Sequence, residues 1–166
     1  MPLPDPWSES LVWRIPTVDD GTGFLDSRGF DPPTPWIQAL AAVGRDLRCL
    51  RYGRDADTDR LVWDLAINSD YYVSIGWQGT RGISSFGIGE GLTMETPFAE
   101  AAAWVAEVVQ DNLAGYDFVQ WPSRGRHLLL PRLRDGRPVW IDPHGDVIVS
   151  PIGQLCKHAD LWPPPE

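Results

Sequence analysis

Residues 96–115 read TPFAEAAAWVAEVVQDNLAG, the one long helical signal in the chain. Thr96 offers a hydroxyl to a free backbone N–H, the role of an N-cap. Pro97 follows at the first helical position, where its missing N–H costs nothing. Gly115 closes the segment at the point where a left-handed residue is favoured. Between them Phe98, Ala101, Ala102, Val105, Val109 and Leu113 recur at steps of three and four and so form one apolar stripe. Glu100, Glu107 and Asp111 fall on the opposite face, with Trp104 beside them. Trp104 has two readings. It caps the edge of the core, or it stands among the carboxylates as an anchor for a basic protein partner. On the second reading Trp104, Glu100, Glu107 and Asp111 are the partner-binding residues.

Outward from this helix the same grammar recurs once. TPWIQALAAVG at 34–44 predicts a shorter helix over 35–43, with Ile37, Leu40 and Ala41 as its apolar face and Gly44 as its stop. Residues 11–18 (LVWRIPTV) read as a strand that Pro16 confines to a sheet edge. Residues 46–52 (DLRCLRY) suit either a strand or a helix tail, and 53–60 a charged turn. Leu61, Trp63, Leu65 and Ile67 alternate, as do Tyr71, Val73, Ile75 and Trp77. The cluster Asn68-Ser69-Asp70 between them predicts a hairpin. Residues 83–88 offer a third strand and 116–121 a short one. Asp135-Gly136 is a strong hairpin turn between 127–133 and 137–141. Asp142-Pro143-His144-Gly145 turns again before 147–149. The expected fold is therefore α+β: one domain over 1–166, a mainly antiparallel sheet packed by helices 97–114 and 35–43, and a hairpin-rich C-terminal subdomain at 121–155. Residues 1–10 and 159–166 read as extended arms, and 19–33 as a polar loop.

The chain carries a net charge of −9, which excludes a general binder of phosphate backbones and suits a basic partner. Lys157 is the only lysine among 14 basic residues, an arginine usage typical of GC-rich bacterial genomes. No apolar run approaches the roughly 18 residues that span a bilayer, and residues 1–10 do not read as a secretory signal. Cys49 and Cys156 lie in no C-x-x-C pair, so both are expected as free, reduced thiols of a cytoplasmic protein. The nine tryptophans are expected mostly in the core and at its edges. Trp7 and Trp162, on proline-rich ends, pin the arms or stand exposed.

Chemistry-bearing motifs are sparse. Gly87, Gly89 and Gly91 do not open a helix directly, and Glu90 would repel phosphate, so a flexible strand end outweighs a phosphate loop. Ser84 and Ser85 lie outside any G-x-S-x-G elbow, and Cys156 with His158 makes no dyad by proximity in sequence. A two-residue turn at Asp135-Gly136 sets Arg134 against Arg137 and His127 against His144, with Asp142 on the side of His144. Two imidazoles and a carboxylate suit a borderline metal such as zinc; otherwise no cofactor is implied. A one-residue slip in register would scatter them. Arg124, Arg126, Arg132, Arg134 and Arg137 crowd one stretch, and Arg132 and Arg134 share a strand face. They form a solvated face, dock onto the chain's own acids, or bind an anion.

The run WPSRGRHLLLPRLRDGRPVWIDPHGDVIVSPIGQL (121–155) resembles the tail of small, uncharacterised actinobacterial proteins. Those tails read W-P-x-C-P-x-H, a variable strand, V-W-x-C-P-x-x-G and I-G-x-L. Trp121-Pro122, Val139-Trp140, Pro143, Gly145 and Ile152-Gly153-x-Leu155 match. Ser123 or Arg124 stands near the first cysteine position, and Asp142 takes the second. The resemblance implies a zinc-ribbon-like hairpin without its thiolates, and no reaction. Taken together, acidic charge, abundant aromatics and no coherent catalytic constellation lead to a non-enzymatic, acidic protein-binding module of bacterial type. The alternatives are an enzyme or small-ligand binder using His127, Asp142 and His144, and a degenerate zinc ribbon that touches nucleic acid.

Overall fold

The computed structural model describes residues 11–17, 31–53, 58, 60–79, 83, 86–88, 92–124 and 127–159. Most of the loop at 19–33, both arms apart from Ala159, Ser84, Ser85, Gly89, Gly91, Arg126, Trp7 and Trp162 lie outside them. In chain order the first half holds β1 (Leu11–Pro16), α1 (Thr34–Asp46), β2 (Tyr52–Gly53), β3 (Val62–Ile67), β4 (Val73–Gln78) and β5 (Phe86–Ile88). The second holds α2 (Phe98–Tyr116), β6 (Val119–Gln120), β7 (Ser123–Arg124), β8 (His127–Leu128), β9 (Leu130–Arg134), β10 (Arg137–Asp142), β11 (Val147–Pro151) and α3 (Leu155–His158). The α+β architecture matches the expectation. A four-stranded sheet runs in the order β1-β3-β4-β5 and a three-stranded sheet in the order β11-β10-β9, both antiparallel.

Period-two patterning sets the first sheet. Trp13, Leu65 and Ile75 share one cross-strand row, and Ile15, Trp63 and Trp77 the next. All six side chains point into the core, which holds Trp13, Trp36, Trp63, Trp77, Trp121 and Trp140 fully buried. β1 is the edge strand that Pro16 requires. The β3–β4 turn is an Asx turn, in which Asn68 Oδ1 accepts from the N–H groups of Asp70 and Tyr72, each at 3.0 Å. Asp135 and Gly136 both take positive φ (51° and 75°), as a two-residue hairpin turn of mirror type needs.

The helices begin and end differently from expectation. α1 runs from Thr34 through Gly44 to Asp46, and α2 starts at Phe98 with Pro97 as its N-cap. Neither threonine makes a side-chain cap bond. Gly44 is no stop signal. A Cβ there would lie 2.9 Å from the Thr17 carbonyl oxygen, so the glycine lets β1 approach α1. On α2, Ala101, Ala102, Val105, Val109 and Leu113 are buried as expected, joined by Ala106, Gln110 and Asn112. The small residues let α2 pack closely on α1, while its far side meets β6, β9 and β10. Gln110 Nε2 donates to the carbonyls of Trp121 (3.1 Å) and Leu129 (2.6 Å) and so clips the C-terminal subdomain to the helix.

Cys49 and Cys156 are joined in a disulfide, with Cα atoms 5.7 Å apart. This corrects the expectation of two free thiols. No spacing motif announces the pair, because 107 residues separate its members and only the packing of α3 beside α1 brings them together.

Candidate functional site

The solvent side of α2 and the corner at its C-terminal end form the candidate surface. Glu100, Glu107 and Asp111 are exposed along one face, and α2 holds no basic residue to offset them. Trp104 is half-buried between them and meets Trp36 edge-on, with ring centroids 5.7 Å apart. Trp36 is itself fixed by a bond from Nε1 to the Thr93 carbonyl (3.1 Å). One side of Trp104 thus closes the core edge, and the remainder lies on the face that carries the carboxylates.

Beyond the last turn the chain presents three aromatics that no local motif marks. Tyr52, Tyr116 and Phe118 are 56%, 74% and 74% exposed. The short β2–β6 ladder, Tyr52 to Gln120 and Gly53 to Val119, brings Tyr52 to the segment that leaves α2. Phe118 takes a left-handed conformation (φ 56°), which a bulky side chain adopts at a cost. Gly53 faces it across the ladder at φ 120°, where a Cβ would lie 2.6 Å from the Phe118 carbonyl oxygen. Gly53 therefore lets the two strands approach closely at the point where the Phe118 ring is exposed.

No protein-family model, curated protein or solved structure matches the chain. The surface must accordingly be read from its own chemistry.

In the C-terminal subdomain Arg134 pairs with Arg137 across the β9–β10 turn, as the two-residue turn requires. The ladder continues only to Leu130 and Ile141, and a register shift between Trp140 and Ile141 interrupts the β10–β11 pairing. The rings of His127 and His144 still approach edge to face, with centroids 6.0 Å apart. Asp142 is drawn into the turn, where its Oδ1 accepts from the His144 N–H at 2.9 Å. Among the described residues no three metal-ligating side chains converge. Arg132 Nη1 donates to the Pro131 carbonyl at 2.8 Å. The Arg134 guanidinium spans both carboxylate oxygens of Asp146. That pairing holds the Asp146 carboxyl below the ordinary carboxylate range and raises Arg134. Of the readings weighed for the arginines, Arg134 takes the one in which the chain supplies its own acid. It also lines a cleft of about 590 Å³ with Arg45, Arg137, Phe98 and Ile148.

A buried carboxylate lies beneath this cleft. Asp46, at the end of α1, is fully buried. Its Oδ2 accepts from Trp140 Nε1 (2.8 Å) and the Gly153 N–H (2.6 Å), and its Oδ1 from the Leu155 N–H (3.0 Å). Its carbonyl accepts from Trp121 Nε1 at 2.9 Å. Burial raises its pKa, and the bonds from Trp140, Gly153 and Leu155 oppose that rise. The residue ties two tryptophans and the start of α3 to α1, which is a structural task.

Proposed function

We propose that the protein is a non-enzymatic binding module that docks a basic protein partner along α2 and the aromatic corner at its end. The observation that carries this is the corner itself: three aromatics more than half exposed at the end of an acidic helix face. Exposed aromatic clusters are costly in water and supply much of the energy at protein interfaces. The carboxylates of Glu100, Glu107 and Asp111 would steer a basic partner and suppress acidic ones, and Trp104, Phe118, Tyr116 and Tyr52 would supply buried contact. An inhibitor or accessory protein of bacterial type fits this division of labour. The disulfide suits an oxidising compartment better than the reducing cytoplasm. No helix among the described residues is long and apolar enough to cross a membrane.

The test is capture of partners from the native host with a tagged full chain, beside two variants, Glu107→Lys/Asp111→Lys and Phe118→Ala. A stoichiometric basic protein retained by the wild type and lost from both variants is the expected result. Equal retention by all three chains, or no retained partner, would overturn the reading.

A further inference from the structure

Gly153 holds an exposed arginine in place. Its N–H donates to the buried Asp46 Oδ2 (2.6 Å), and its carbonyl accepts from Arg45 Nε (3.2 Å). It takes φ 104°, and a Cβ there would lie 3.0 Å from the Ala42 Cβ and 3.1 Å from Arg45 Nη2. A side chain would push into Arg45 and α1, so glycine lets the guanidinium lie against the backbone. With Nε engaged, the two terminal nitrogens of Arg45 have no hydrogen-bond partner among the described residues. They form the planar fork that matches a carboxylate.

Arg45 lines the cleft of about 590 Å³. The cleft lies where the Arg137 end of β10 and the Pro151 end of β11 meet the end of α1 and the first residue of α2. Arg137 joins the same rim. The Ile152 N–H donates to the Pro138 carbonyl at 3.0 Å, so the residues beside Gly153 and Arg137 are bonded to each other. Arg137 is exposed, and its guanidinium has no partner among the described residues. Arg134 is already matched by Asp146, and the Asp46 carboxylate is met by its own N–H donors. Arg45 and Arg137 therefore face a single lining acid, Asp135, which leaves positive charge unmatched at the mouth. The net charge of −9 does not cancel it, because exposed charges more than roughly 8–10 Å away are screened at physiological salt. The remaining wall is apolar. Phe98 and Pro138 are half-buried, and Ile148 is 53% exposed. That surface is free for a ligand to cover. The volume falls within the roughly 300–1,000 Å³ of small-molecule sites.

We infer that this cleft is a small-molecule site for an organic acid, a carboxylate carried on a compact apolar body. The head meets the terminal nitrogens of Arg45, and Arg137 adds a second positive charge at the rim. The body lies over Ile148, Pro138 and Phe98. Each of these side chains is in contact with solvent in the free protein, so a ligand reaches all of them from the open side. The charges set the class. Two arginines repel a cation, a neutral body gains nothing from them, and Asp135 opposes a second negative charge on the head. The site is opposite in sign to the α2 face and independent of its partner.

The test titrates the full chain with 2-naphthoate, the neutral 2-naphthylmethanol and acetate, and follows backbone amide resonances by NMR. 2-Naphthoate should shift the amides of Val139, Gly153 and Gln154. It should bind about tenfold more tightly than 2-naphthylmethanol, the size of one charge-assisted contact, and more tightly still than acetate. Arg45→Gln and Arg137→Gln should each weaken 2-naphthoate about tenfold and leave 2-naphthylmethanol unchanged. Ile148→Ser should weaken both naphthyl probes. Arg137→Gln should keep the wild-type urea midpoint, since its guanidinium bonds to nothing among the described residues. If Arg45→Gln loosens Gly153, Arg137→Gln alone carries the test. No shift at these amides, equal binding of 2-naphthoate and 2-naphthylmethanol, or 2-naphthoate binding undiminished in Arg137→Gln would overturn the site.

Discussion

Asp46 shows how one side chain can organise two halves of a chain and still be silent in the sequence. It sits in an ordinary helix tail, GRD, and its partners are indole and backbone N–H groups 94 to 109 residues away. Replacing it with alanine strands three donors, two of them buried, so Asp46→Ala should lower unfolding free energy by about 3–5 kcal/mol, read from urea denaturation. Its pH signature is equally specific. A carboxyl whose pKa is raised in the folded state favours the protonated form there. Stability should therefore decline as pH rises from about 4, the unfolded value, through the folded pKa, and then level off. Asp46→Asn should remove that decline while lowering stability at neutral pH, because its NH₂ cannot accept from the donors around it.

At the scale of elements, periodicity recovered most of the fold. The apolar stripe of α2, the β3–β4 hairpin and the turn at Asp135-Gly136 follow from local chemistry, since the alternation and turn residues that specify them lie within a few positions of one another. Element ends were less legible. Thr34 and Thr96 read as caps, yet the prolines beside them set the starts, and Gly44 serves a close approach between β1 and α1. The acidic face of α2 was legible; the aromatic corner was not, because nothing local marks Phe118 as left-handed. That conformation allows a separation of roles. Phe118→Gly relieves the backbone and removes a ring with little buried area. It should leave urea stability within about 1 kcal/mol of wild type while weakening partner retention. A loss of both together would assign the ring to folding and not to binding.

For the whole molecule the disulfide matters most, and spacing could not have predicted it. Cys49 follows α1 and Cys156 lies in α3, so the bond fastens the two regions that Asp46 also joins. Cross-linking positions 107 apart restricts the unfolded chain strongly. Replacing both cysteines with serine should cost about 2–4 kcal/mol, measured as a shift in the urea midpoint, and reductant should move the wild type to the same value. Equal midpoints for oxidised, reduced and double-serine chains would remove the bond from the stability of the fold.

The same bond makes residues 49–156 a covalent ring, and a ring bears load differently from a string. A force applied from either side of the cysteine pair runs across the sulfur bridge and does not pass along α2 or the strands β2 to β11 enclosed within it. Only reduction releases that length, roughly 370 Å of extended chain at about 3.5 Å per residue. Until then α2 and the aromatic corner at its end are mechanically shielded, while the edge strand β1 stays outside the loop.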